Sequence, residues 1–306
     1  MKWVAALVAV MILTGLGILP FYTSNYVITF TLQIFMWIAL AESWNLISGL
    51  TGYVSFGHVA FFGTGAYTAA ILVTKVGWHW LPASLMGSVT AAILALLIGY
   101  PCLRLKGPYF AISMLGLNEV VRALVSYFDK LTGGGSGITL SPMDSLVPLY
   151  YAMGGVALAG LIITYSIITS RFGLRLLSIR ENEVAAEAMG IPTAALKLYI
   201  FLISAALPGI VGGFYARYVT HIEPLGTFPL ITTITMIVMC LFGGRGTIFG
   251  PVLGATLLSL FQEWAWSSFL HFHEALFGAI IILVILLMPR GILGVLQQRY
   301  RLPRVV

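Results

Sequence analysis

The chain has 306 residues, of which 59% are hydrophobic and only 8% charged, with a mean hydropathy of +1.00. Soluble domains carry about 25% charged residues, so a soluble globular enzyme is excluded and a chain of several membrane spans remains. The net charge of +6 comes from basic residues spread through the connections rather than gathered in a patch with aromatics, so no nucleic-acid partner is expected.

At about 20 residues per spanning helix, the length accommodates an all-α polytopic transmembrane helical bundle of about 8–10 spans. It forms a single transmembrane domain over residues 1–306. The first residues, MKWVAALVAVMILTGLGILP, place Lys2 before an apolar run that continues to Leu19 without a small-residue cleavage site before Pro20. That pattern reads as a retained first helix rather than a signal peptide. Hydropathy then places spans near residues 3–19, 26–48, 58–74, 81–103, 108–128, 146–169, 198–219, 227–242, 250–268 and 274–289. With Lys2 inside, Arg104, Lys106, Arg171, Arg175, Arg180, Lys197, Arg245 and the basic tail at 290–306 all fall on the inner side. Only Lys75, Lys130 and Arg217 fall outside. The positive-inside bias therefore puts both termini in the cytoplasm.

Two stretches interrupt the apolar pattern. Ser43 to Leu72 contains Gly49, Gly52, Gly57, Gly63 and Gly65 together with Asn45, Ser55 and His58, and Leu241 to Ala255 contains Gly243, Gly244, Gly246, Gly250 and Pro251. Backbone that leaves the helix at membrane depth must be buried in protein or line a watery cavity, so these are expected to be broken or re-entrant helices. The alternative is that the glycines only let helices pack closely. The GGGSG of residues 133–137 lacks the Lys-Ser/Thr of a phosphate loop and has no strand before it, so it reads as an external loop.

Glu42, Glu119, Arg122 and Glu263 sit in or near spans, where a charge is costly unless it pairs or faces the bundle interior. Glu119 and Arg122, three apart, share a helix face and can neutralise one another. Asn45, Ser55, His58, Asn118 and Glu119 are the candidates for a polar translocation path. Cys102 and Cys240 lie far apart in apolar runs and read as small buried hydrophobes. His58, His79, His221, His271 and His273 do not combine with carboxylates at metal spacing. No Ser-His-Asp arrangement, HExxH motif or nucleotide-binding loop is present in the sequence. Catalytic residues, a metal and a cofactor in this chain are therefore not expected.

The one long polar stretch inside is Arg171 to Lys197, RFGLRLLSIRENEVAAEAMGIPTAALK, which holds Arg171, Arg175, Arg180, Glu181, Glu183, Glu187 and Lys197. It resembles the coupling loop of ABC importer permeases: Ala185, Ala186, Gly190, Ile200 and Leu202 match its spacing, and Val184 and Ile203 stand where the motif has Glu and Pro. Together with SWNLISGLTGYVSFGHVAFFGTGAY, LRLKGPYFAISMLGLNEVVRAL, LTGGGSGI and MCLFGGRGTIFGPVLGA, in that order along the chain, the segment is similar to permease subunits of branched-chain amino acid ABC importers of the LivM type. The resemblance implies a subunit of a bacterial-type inner membrane that pairs with a second, LivH-like permease. It also implies two ABC ATPase subunits carrying ATP and Mg, and a soluble binding protein delivering leucine, isoleucine or valine. Arg175, Arg180, Glu183, Glu187 and Gly190 are then the expected coupling residues. Urea or short-chain amides as cargo, or an ion-coupled secondary transporter using Glu42 or Glu119, are the alternative readings.

Overall fold

The computed structural model describes residues 14–268 together with residues 11, 278 and 291–294. The expected tenth span, the tail at 290–306, both termini, His271 and His273 lie wholly or largely outside the described residues. Of the first expected span, residues 14–19 are described, in a helical run over 14–22.

Among the described residues ten helices carry the architecture: α1 (Asn25–Trp44), α2 (His58–Ile71), α3 (Trp80–Cys102), α4 (Pro108–Tyr127), α5 (Val147–Ile168), α6 (Arg171–Glu181), α7 (Glu183–Ala188), α8 (Thr193–Val219), α9 (Leu230–Gly243) and α10 (Gly250–Ser268). Both α1 and α2 run on into a π-helical turn, at Asn45–Gly49 and Leu72–Val76. Local chemistry sets many of the ends. Pro108 and Pro148 open α4 and α5 at positions where a missing N–H costs nothing. The Ser170 hydroxyl accepts from Gly173 N–H to cap α6, and the Asn182 side chain accepts from Ala185 N–H to cap α7.

Seven helices among the described residues are long and apolar enough to cross a membrane: Asn25–Gly49, His58–Val76, Trp80–Cys102, Pro108–Tyr127, Val147–Ile168, Thr193–Val219 and Pro224–Gly243. They coincide with the second to eighth expected spans. The ninth, α10, is helical throughout but falls outside this set of seven.

The connections sort into two groups, and each group is held together by contacts. At one end Lys75 donates to the Lys130 carbonyl, Arg217 to that of Ser141, and Ile138–Thr139 pairs antiparallel with His221–Ile222. At the other end Arg180 reaches Gly49, and Lys197 reaches Leu103 and Glu183. Arg104, Lys106, Arg171, Arg175, Arg180, Lys197 and Arg245 all belong to this second group, here called the basic end. The partition is the one that alternating spans require.

Helix α8 is the centre, packed on α2 and α3 in one block, while α1, α5, α9 and α10 form the other. Small residues make the first block possible. At Gly65 of α2 and Gly209 of α8 the backbones approach so closely that a Cβ on Gly65 would overlap the Gly209 carbonyl, and Gly87 of α3 closes on the same point. Membrane helices associate through such close approach because apolar side chains gain little by leaving lipid. The outer face of α3, with Leu85, Val89, Ile93, Leu96 and Leu97, is left exposed and apolar, as a lipid-facing surface requires.

This packing predicts opposite outcomes for two similar substitutions. Gly65→Val must separate α2 from α8 and is expected to cost at least the roughly 1–3 kcal/mol typical of overpacking. Gly155→Val, where a side chain meets only open space, is expected to be neutral. Thermal unfolding of the two purified variants in detergent checks both.

Candidate functional site

The two glycine-punctuated stretches meet at the basic end. The first leaves α1 through the π-turn Asn45–Gly49, runs irregularly to Gly57 and resumes as α2 at His58. The second leaves α9 at Gly244 and resumes as α10 at Gly250. Both breaks fall between successive long helices instead of re-entering within one.

Asn45 joins them. Its side-chain nitrogen donates to the Thr247 carbonyl (2.9 Å), and its oxygen accepts from Gly246 N–H (2.7 Å). Close approach is obligatory here as well: a Cβ on Gly49 would meet the Asn45 side chain and Gly246 nitrogen, and one on Gly246 would meet Gly49 and Arg180. The Trp44 indole N–H donates to the Ser55 carbonyl (2.9 Å), Ser55 N–H donates to the Ser48 hydroxyl (3.2 Å), and the Ser55 hydroxyl lies 3.0 Å from His58 Nδ1. Asn45, Ser55 and His58 are all fully buried. The structure thus brings three of the expected path residues to the first break: the Asn45 side chain holds the backbone of the second break, while the Ser55 and His58 side chains pair with one another.

The other two sit apart. Asn118 points inward and donates to the Phe228 carbonyl (3.1 Å), whereas the next residue, Glu119, lies on the exposed face of α4 in an ion pair with Arg122. The expected pairing across one helical turn is therefore present. Glu42 is fully buried and accepts a 2.8 Å hydrogen bond from the Thr164 hydroxyl of α5.

The expected coupling residues divide into an outer and an inner set. Arg175 and Glu187 are exposed, and Glu187 accepts from the Thr193 hydroxyl (2.5 Å). Gly190 has a φ of +81° with nothing near its Cβ position. It ends the α7 segment in the left-handed conformation that glycine adopts without strain. Arg180 and Glu183 turn inward. Arg180 Nη1 donates to the Gly49 carbonyl (2.7 Å), at the end of the same π-turn that Asn45 begins. Glu183 Oε1 pairs with Lys197 Nζ (2.6 Å), and its Oε2 accepts from the Tyr53 hydroxyl (2.6 Å).

Tyr53 is the residue that sequence reasoning passed over, hidden among the glycines of the first break. Lys197 carried the signal that could have exposed it: a lysine five residues into an apolar helix is costly unless partnered, and only 3% of its side chain is accessible. Burial alone would raise the Glu183 pKa, but the hydrogen bonds from Lys197 and Tyr53 outweigh it and hold the carboxyl below its ordinary value. Burial, then the Glu183 carboxylate, pushes the Tyr53 phenol above the ordinary tyrosine range, so it remains a donor.

Two predictions follow from these contacts. Asn45→Leu strands the Gly246 N–H and Thr247 carbonyl, and each buried unsatisfied group costs about 1–3 kcal/mol; a lowered unfolding temperature of the purified protein checks this. For Glu183 the folded pKa is depressed, so its stabilisation is complete above the unfolded value of about 4.3 and disappears as the pH falls through the lower folded value. The stability gap between the native chain and Glu183→Gln is therefore expected to be constant from pH 7 to about pH 5 and to narrow below about pH 4, as thermal melts across that range would show.

Comparison with known proteins gives this architecture a family. Residues 26–288 match the family model described as branched-chain amino acid transport system / permease component. The chain is 29% identical to the high-affinity branched-chain amino acid transport system permease protein LivM of Salmonella typhimurium and 28% identical to that of Escherichia coli. Each comparison covers 92% of this chain and 73% of the relative. It is 25% identical to the permease protein LivH of Salmonella typhimurium, over 83% of this chain and 90% of the relative. No solved structure matches. With seven membrane-length helices among its described residues and a match across most of its length, the chain belongs to the family of branched-chain amino acid transport permease components.

Proposed function

We propose that this chain is one of two permease subunits of an ATP-driven importer, and that it carries leucine, isoleucine or valine delivered by a soluble binding protein. The observation that carries the reading is the two-helix segment α6–α7, whose inner and outer faces differ sharply. Gly173, Leu176, Ile179 and Ala186 are buried against the bundle, while Leu174, Val184 and Met189 stand exposed among Arg175, Glu181 and Glu187.

An exposed apolar strip rimmed by charges, at the end where the basic connections collect, suits a protein partner on the aqueous side. The positive-inside bias makes that side the cytoplasm, where the nucleotide-hydrolysing subunits of such an importer act. In this arrangement ATP and Mg belong to the partner subunits. This chain contributes half of the pathway and the surface that receives the force. Aliphatic cargo agrees with the names of the LivM and LivH relatives. The permease needs no tight site of its own if the binding protein selects the substrate.

Uptake of radiolabelled leucine into vesicles tests the whole reading. The vesicles hold this chain, its partner permease, both ATPases and the binding protein, with each omitted in turn. Uptake is expected to require every component and ATP. Uptake by this chain alone, indifferent to ATP and abolished by an ionophore, would replace the reading with an ion-coupled transporter. Uptake of urea or acetamide in place of leucine would change the cargo only.

The docking surface makes a separate prediction. Leu174→Asp and Met189→Asp alter exposed side chains and leave the fold intact. Each removes an apolar contact worth about 1.5–3 kcal/mol when fully buried, so retention of the ATPase subunits on affinity purification is expected to fall about tenfold or more.

A further inference from the structure

The Lys197 ammonium has three N–H donors, and each has an acceptor: Glu183 Oε1 at 2.6 Å, the Tyr53 hydroxyl at 2.9 Å and the Leu103 carbonyl at 3.0 Å. The Tyr53 hydroxyl passes its own proton toward Glu183 Oε2 at 2.6 Å. The network is closed, and it joins four separate segments. Glu183 is the first residue of α7, Tyr53 lies in the link between α1 and α2, Leu103 closes α3, and Lys197 sits in the first turns of α8. Beside it, Arg180 ties α6 to the last residue of the π-turn that follows α1.

Neither of the simpler roles for Lys197 accounts for this arrangement. A lysine that only marks the inner side of a membrane protein needs to be wet, and this one is buried. A lysine that only stabilises is poorly chosen, since apolar residues of similar volume often serve as well as a buried ion pair. What the pair adds is directional stiffness: displacement of α7 must carry Tyr53, Leu103 and Lys197 with it or break charged hydrogen bonds around a buried ammonium.

We propose that Tyr53 and Lys197 are positioning residues for transport, forming with Glu183 a rigid joint through which movement of α6–α7 passes to the α1–α2 link, α3 and α8. The joint rests on the importer reading above and names the residues that would connect its ATPase surface to its membrane helices. Because all three side chains lie behind the outer face of α6–α7, removing the joint leaves that face able to bind its partner.

The test measures leucine uptake and ATP hydrolysis in the same vesicles holding the full complex. Tyr53→Phe keeps the ring, which packs edge-on against Phe110 with centroids 5.2 Å apart, and removes only the hydroxyl. The double variant Glu183→Gln with Lys197→Met replaces the ion pair by neutral groups of similar size. Both are expected to assemble and to hydrolyse ATP. The leucine moved per ATP is expected to fall several-fold in Tyr53→Phe and about tenfold in the double variant, in keeping with the loss of one and of several charge-assisted hydrogen bonds. An unchanged ratio in assembled complexes overturns the joint, and so does failure of both variants to assemble, because the network would then serve only the fold. Absence of ATP-driven uptake in the unaltered complex overturns instead the importer reading on which the joint depends.

Discussion

Backbone polar groups in a bundle surrounded by hydrocarbon have no water to turn to, so each departure from the helix must be answered by protein. In this chain the answer at the basic end is largely one carboxamide. Asn45 accepts from Gly246 N–H and donates to the Thr247 carbonyl, pinning the link between α9 and α10 to the turn that ends α1. Gly49 and Gly246 supply the room, and Arg180 takes the carbonyl at the end of the turn. The two breaks satisfy each other, and each depends on the other's position. That mutual dependence brings segments two hundred residues apart into one assembly, against which α6 and α7 are fastened.

The rest of the bundle gives that assembly something firm to act on. Around α8, glycines on α2, α3 and α8 meet backbone to backbone, which leaves little slack for the helices to slide. The opposite end is held by the short antiparallel pair at Ile138–Thr139 and His221–Ile222 and by the hydrogen bonds of Lys75 and Arg217. Dense packing of this kind transmits displacement as rigid-body movement of whole helices rather than absorbing it locally.

Much of this was written in the sequence where the signal was periodic or compositional. Long apolar runs fix spans in any order of packing, and seven of the expected spans appear as membrane-length helices. Loop charges assign connections to alternating ends, and the contacts group them in the same way. The glycine-rich breaks were legible as breaks, but not as partners, because one sequence does not say which loops meet. For the same reason Asn45 looked like lining for a path: a polar residue in an apolar run is equally suited to holding backbone, and only the positions of Gly246 and Thr247 show that role for it here. Arg180 and Glu183 were visible as charges on a solvated loop. Their inward turn depends on Gly49, Tyr53 and Lys197, which are remote in sequence from one or both of them.

Ionisable side chains within the apolar chain are partnered in three distinct ways, and the difference bears on function. Glu119 finds Arg122 on its own helix, so the pair travels with α4 and constrains nothing else. Glu42 finds the Thr164 hydroxyl of α5, a single hydrogen bond between two helices. Lys197 instead spends all its donors on three other segments, one of which is the helix whose outer face is open to a partner. A contact within one helix cannot carry movement, and a lone hydrogen bond between two helices yields at modest cost. A closed network across four segments, centred on a buried ammonium and a part-buried carboxylate, yields only by leaving the Lys197 charge without its partner. Of the three, only the Lys197 network is both stiff enough and connected widely enough to carry a push on α7 into the membrane helices.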